Sequence, residues 1–561
     1  MDVIQAKPKL SNSQLAFRIG LARKRTALYP MDSMDFILMD LERPDLSSRH
    51  AHWCTGDLSG RTLEFLSCAE GIDGKNDERL AEFFDRVLCS QKASGLIGRY
   101  SGVNANNEPL DKYRSAGMDH IFGALVRYYE ATNDSRALDA AIKIAEHILT
   151  RRDEFIEAGE NGTLSTFETL AVENFARLYN ITGDKRYLDF CVDLCSYINK
   201  IEYAHSHTFL GTLRGLQLAA VYTGDESLNE KPEFFRKKII EEHYEMADGG
   251  VSEVFPRGYR NEGCSVADWL MLNLNSAFIS GDDETYQRTE NILYNALFFN
   301  QLITGGFGHR DLTERGYAGT GLSEAWWCCT ENCGLAMTEF AKHAVVLRGN
   351  ELCVNFLISG EFTVAVPGKP DITVNITTDY PRSVYTVINV KNMPKDVKLK
   401  VNIPTFVKDK SIEEKYINGV YRAVINGKIG HYTEKYDKGY ILKYGPLVLS
   451  PSIYYWGKHT DLSEGDVPAG YIPQMLPGGK CGIVCPAQNA DGFLDLPHEP
   501  LPDWSYFDEG TISRTAVGNS SVNVQVEFEN GKRETLRFTP LCYNLSNLSF
   551  YDAPLVFDYL I

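Results

Sequence analysis

The chain has 561 residues, of which 43% are hydrophobic and 24% charged. That is room for roughly two to four globular domains and excludes wholesale disorder. Seventy-five acidic against 57 basic side chains give a formal charge of −18. Such a chain is a poor match for nucleic acid or an anionic membrane surface, both of which call for basic patches.

Residues 1–30 read as an amphipathic helix around Leu15, Phe17, Ile19 and Leu21 and lack the apolar stretch of a secretory signal. No apolar run approaches the length of a membrane-spanning helix. Thirteen cysteines, odd in number and scattered, do not form a disulfide framework. The expected compartment is therefore a reducing cytoplasm, where thiolates are free for metal binding or catalysis.

From Leu10 to about Leu347 the apolar spacing is helical, as in Arg136–Leu149 and Tyr187–Ile198. A short punctuation recurs: Ala131-Thr-Asn-Asp134, Ile181-Thr-Gly-Asp184, Tyr222-Thr-Gly-Asp225 and Ile279-Ser-Gly-Asp282. Each copy offers a Gly or Asn able to end a helix at positive φ, then an Asp able to cap the next one. Helical hairpins repeated in this way predict a closed (α/α) toroid, with an open solenoid as the alternative. Loops of different length, such as 205–209 and 249–263, would gather at one end, where sites usually sit.

After Asn350 the period changes to two. Leu352–Ile358, Ile372–Ile376, Tyr385–Val390, Val397–Ile403 and Val522–Phe528 predict strands, with hairpin turns at Asn426-Gly427 and Asn530-Gly531. This half reads as an antiparallel β-sandwich, weakest over Thr460–Trp504. The expected domains are residues 1–349 and 350–561.

Cysteine placement is the first chemical irregularity. Cys328 and Cys329 are adjacent in Glu324-Ala-Trp-Trp-Cys-Cys-Thr-Glu-Asn-Cys333, and Asn261-Glu-Gly-Cys264 lies upstream. Glu262, Cys264, Cys328 and Cys329 would fill a tetrahedral zinc shell, although the usual C-x2-C spacing is absent. Core packing accounts equally well for buried cysteines. Two carboxylates, Glu253 and Glu262, share one long loop. A glycosidic bond is cleaved by a proton donor at the leaving oxygen and a nucleophile or base opposite, but most loop carboxylates are merely solvated. His120, His205 and His207 stand near helix starts. No nucleotide-binding, serine-hydrolase or H-E-x-x-H motif stands out.

At these residues the sequence resembles glycoside hydrolase family 127, the β-L-arabinofuranosidase family. Gly56-Asp-Leu-Ser-Gly-Arg61 with Leu63-Glu64 resembles its G-R-x-L-E element, and Ala116-Gly-Met-Asp-His120 its barrel histidine segment. Glu262-x-Cys264 resembles its E-T-C element and Cys328-Cys329-x-x-Asn332 its C-C-P-x-N element. Val354-Asn355, Thr378–Pro381, Ile403-Pro404 and Gly445–Val448 resemble its sandwich signatures. The resemblance implies an (α/α)6 barrel followed by a β-sandwich, and a zinc-assisted retaining exo-glycosidase. Glu262, Cys264, Cys328 and Cys329 would bind Zn2+, Cys328 would be the nucleophile, and Glu253, raised in pKa by burial, the acid/base. His120, His207 and Trp326 are the candidate sugar contacts. The substrate would be an oligosaccharide or glycoside ending in a furanose such as β-L-arabinofuranose. The chain departs from the family pattern at Gly263 (usually Thr), Thr330 (usually Pro) and Thr166 (often a second pocket histidine), and Glu331 is a rival carboxylate. Two other readings compete: a metal-free (α/α)-barrel sugar hydrolase or epimerase, and a glycan-binding protein with a structural zinc. The oligomeric state is open, a homodimer included.

Overall fold

The computed structural model describes residues 3–43, 56–98, 114–115, 117–302, 304–451, 480–496, 522–543 and 553–561. Most of Thr460–Trp504 lies outside these residues. A helical N-terminal domain is followed by a β-rich C-terminal domain.

The recurring turns do what their residues dictate. Asn133, Gly183, Gly224 and Gly281 end their helices at φ of 59°, 73°, 73° and 70°. The aspartates that follow accept hydrogen bonds from the backbone N–H groups of Arg136, Arg186, Ser227 and Thr285 in the next helical turns. Each turn joins an inner helix to an outer one. Helix Asp57–Ala69 packs on Asp119–Thr132, which packs on Ala171–Thr182, then Ser206–Thr223, Gly263–Ser280 and Cys329–Lys342, which returns to the first. Glycines set the closest crossings. A Cβ at Gly60 would lie 2.6 Å from the backbone of His120, and one at Gly215 would lie 2.4 Å from the backbone N of Glu173. The tight turns follow the C-termini of inner helices. The N-termini therefore share the opposite end, together with the longer loops.

Two features depart from the helical expectation. Strands Val3–Gln5 and Lys7–Leu10 pair with Val345–Arg348 and Gly360–Val364, so the first residues belong to sheets of the β-rich part. Within the helical stretch, strands Arg260–Glu262, Gly308–Thr313 and Gly316–Glu324 form a small antiparallel sheet. Further on, a six-stranded and a seven-stranded sheet show the predicted alternation, with Val522, Val524, Val526 and Phe528 buried. Asn530-Gly531 is the expected turn, Gly531 having φ 76°. Asn426-Gly427 is not a turn. Both residues lie within strand Val420–Lys428, where Gly427 makes room for Val407, 2.5 Å from the position of a Cβ. One continuous apolar core, from Ile19 and Trp269 to Val374 and Val524, joins the two halves.

Candidate functional site

The predicted donor residues stand at the N-termini of two neighbouring inner helices. Glu262 precedes Gly263–Ser280 with extended backbone, and Cys264 is the helix's second residue. Cys328 holds the same place before Cys329–Lys342. Exposed backbone N–H groups and the helix dipole favour negative charge at such ends, which suits carboxylate and thiolate.

One ligand atom from each of Glu262, Cys264, Cys328 and Cys329 lies within 4.8 Å of the others. All three cysteines are solvent-inaccessible. The two adjacent sulfurs are 3.7 Å apart, close to the edge of about 3.8 Å that a tetrahedral shell with Zn–S near 2.3 Å requires. The donor chemistry therefore fits zinc. Burial pushes each of these thiols well up, so thiolates persist here only with positive charge beside them. Glu262 behaves oppositely. Burial works against its ionisation, but His205, through its hydrogen bond and charge, outweighs that with His309 and holds the carboxyl well below the usual range. His205 Nε2 lies 3.3 Å from Glu262 Oε2 and His309 Nε2 4.0 Å from Oε1, while Ser265 Oγ donates to Oε2 at 3.1 Å.

Glu253 joins this group, its carboxylate lying within 4.8 Å of both His205 and Glu262. Three short extended segments carry these residues side by side. Ser206 N donates to Glu253 O at 2.8 Å, and Glu253 N to Arg260 O at 3.0 Å. The expected burial of Glu253 is not found. Its side chain is 16% exposed, and both oxygens are clasped by Arg260 through Nε and Nη2. The rival, Glu331, is fully buried. Burial pushes its carboxyl up to about 8, and neither oxygen meets a hydrogen-bond donor among the described residues.

Of the candidate sugar contacts, His120 borders the site, with Nε2 3.4 Å from Asp57 Oδ1 and its ring parallel to that of His207 at 6.1 Å. His207 is buried with both ring nitrogens engaged, Nδ1 by Asp268 and Nε2 by Arg61. Trp326 packs against Phe36 and Trp327. Thr166 bonds Thr208 at 2.7 Å. Sequence reasoning missed Arg61, Asp268 and His309 as neighbours of the cluster. Arg61 alone carried a signal, inside the G-R-x-L-E resemblance. His309 sits on a strand in a stretch that reads as helical.

The catalytic-domain model of the GH127 beta-L-arabinofuranosidase family matches residues 49–342. The chain belongs to this family. Members of GH127 are glycoside hydrolases, and so is this chain. Similar solved structures include a GH127 beta-arabinofuranosidase, BT3674, 15% identical with a TM-score of 0.67, covering 100% of this chain and 99% of that one. Another is Ara127N-Se, a GH127 beta-L-arabinofuranosidase from Geobacillus stearothermophilus T6, 13% identical with a TM-score of 0.65 and coverages of 99% and 100%. A third, a glycoside hydrolase, is 13% identical with a TM-score of 0.67 and coverages of 100% and 98%. No curated protein matches the chain. Among the described residues, no helix is long and apolar enough to cross a membrane.

Proposed function

We propose that this GH127 member is a retaining exo-glycosidase that releases a terminal furanose, such as β-L-arabinofuranose, from oligosaccharides. The observation that carries the reading is the convergence of Glu262, Cys264, Cys328 and Cys329 at the heads of two helices, beside Glu253. Helices that each touch the next, the last touching the first, support an (α/α)6 barrel, and the six- and seven-stranded sheets, with one face of their strands buried, support a β-sandwich reading of the C-terminal part.

Glu262, Cys264, Cys328 and Cys329 would hold the zinc. Its charge would keep the buried sulfurs deprotonated. Cys328 Sγ attacks the anomeric carbon as the bond to the leaving oxygen breaks, and Glu253 gives that oxygen its proton. A glycosyl thioether on Cys328 results. Glu253, now a carboxylate, takes a proton from water as the water oxygen attacks the same carbon. The C–S bond breaks, its electron pair returning to sulfur, and the sugar leaves with its configuration retained. For the first step the Glu253 carboxyl must turn away from Arg260, because in the present arrangement both oxygens face the guanidinium. His120 and Trp326 are proposed to contact the sugar.

The test is turnover of an aryl β-L-arabinofuranoside by the parent and by Cys328→Ser, with metal content measured in both. Loss of turnover in a folded variant supports the nucleophile assignment. Full activity of Cys328→Ser overturns it.

A further inference from the structure

Arg61 reaches the donor set from outside it. Its guanidinium is 6% exposed and tied on three sides. Nε donates to Asp57 Oδ1 at 2.9 Å, Nη2 to His207 Nε2 at 2.9 Å, and Nη1 to Cys264 Sγ at 3.9 Å. An arginine nitrogen only donates, so His207 Nε2 accepts and the ring proton sits on Nδ1, donated to Asp268 Oδ2. Asp268 is wholly buried and is fixed in turn, by Asn332 Nδ2 at 3.2 Å and Arg214 Nη1 at 3.1 Å. Arg214 continues to Glu173 at 2.7 Å. A line of buried polar groups thus runs from the middle of the helical domain to the sulfur of Cys264.

One carboxylate and three thiolates carry four negative charges, and a divalent cation leaves two of them uncompensated. Among buried groups such as these an uncompensated charge is costly. Arginine stays cationic at any relevant pH, and Arg61 shares its charge between the Asp57 carboxylate and the sulfur of Cys264.

We propose that Arg61 is a positioning residue for the thiolate–metal set, a fixed counter-charge aimed at Cys264 by His207 and Asp268. This assignment rests on the zinc reading above. It also gives His207 a different task from sugar contact, since both of its nitrogens are already used.

Zinc affinity measured by competition with a chromophoric chelator tests it, alongside thermal melts of the same proteins. Arg61→Gln should weaken zinc binding 10- to 100-fold, as is usual when a partner behind a metal ligand is lost. Arg61→Lys, which keeps the charge without the fork, should recover part of that loss. An Arg61→Gln protein that melts like the parent and binds zinc within twofold of it overturns the proposal. If Arg61→Gln does not fold, His207→Phe decides, because it leaves Arg61 in place but unaimed. A loss of fivefold or more in affinity supports the proposal, and an unchanged affinity overturns it. A parent that takes up no zinc overturns the metal reading and this inference together. Turnover by that zinc-free parent would leave glycosidase activity standing.

Discussion

Gly263 and Cys333 share one space between two helices. The Cys333 Sγ donates to the Gly263 carbonyl at 3.1 Å, and a Cβ built on Gly263 would lie 3.0 Å from that sulfur and 3.0 Å from the Cβ of Cys329. At this position, where the family pattern has a threonine, Cys333, Cys329 and Asn300 together leave little room for a side chain. Gly263→Thr should displace Cys329, cost about 1–3 kcal/mol through overpacking and lower zinc affinity. Cys333→Ala in the same chain should restore part of both losses. Chelator competition and chemical denaturation of the single and double variants measure this coupling.

Replacing Glu253 should affect substrates unequally. A glycoside with a good leaving group, such as nitrophenolate, needs no proton in the first step, whereas a sugar leaving group does. Glu253→Gln should therefore lower kcat/KM on an oligosaccharide by about 10²–10⁴-fold and spare the nitrophenyl furanoside in that measure. Its kcat should still fall, because the second step has lost its base. Equal losses in kcat/KM on both substrates would point to another carboxylate.

A pH-dependent stability effect is built in away from the site. Glu290 is buried, and Tyr380 donates its hydroxyl to Oε2 at 3.1 Å. Burial pushes the carboxyl up to about 8. Because the folded-state value is raised, the contribution is full below the unfolded value of about 4.3, declines as pH rises, and is gone above about 8. Glu290→Gln keeps a carbonyl acceptor for Tyr380 without a charge to bury. Parent and variant should melt alike at about pH 4. At pH 8.5 the variant should be more stable by roughly 2–4 kcal/mol. Melting curves that stay parallel across this range would refute the assignment.

Tyr203 holds φ 62° with its ring 89% exposed. A bulky side chain in the left-handed region is strained by about 1 kcal/mol, and little burial offsets it. Its N–H bond to Phe255 O, at 2.8 Å, survives any substitution that keeps the backbone. Tyr203→Asn should raise stability by about 0.5–1 kcal/mol, read as a shift in the urea midpoint with an unchanged slope.

What could be read from the sequence followed the range of the interactions. The Thr-Gly-Asp turns were legible because their caps act within four residues. The donor residues were legible because E-x-C and the vicinal pair each form a short string, and helix starts bring the strings together. Asp268 and Arg214 were not, since their partners lie tens of residues away and a buried charge looks like a solvated one in sequence; Arg61 showed only within the G-R-x-L-E resemblance, because His207 and Cys264 lie 146 and 203 residues from it. Trp326 read as a rim aromatic, and packing against Phe36 and Trp327 leaves it half-buried. Asn426-Gly427 has the composition of a turn, but long-range packing against Val407 decided its strand conformation.

The strands Val3–Gln5 and Lys7–Leu10 tie both halves of the chain into one folding problem. Strand Gly360–Val364 finds its outer neighbour in residues 7–10, and Val345–Arg348 finds one in residues 3–5. During synthesis these early segments wait for partners made hundreds of residues later, a high-contact-order closure that slows folding. A split at residue 349 would consequently not release two modules. It would part residues 7–10 from Gly360–Val364 and Val345–Arg348 from Glu351–Val354, leaving a bare hydrogen-bonding edge on each sheet, the kind of edge that recruits other chains.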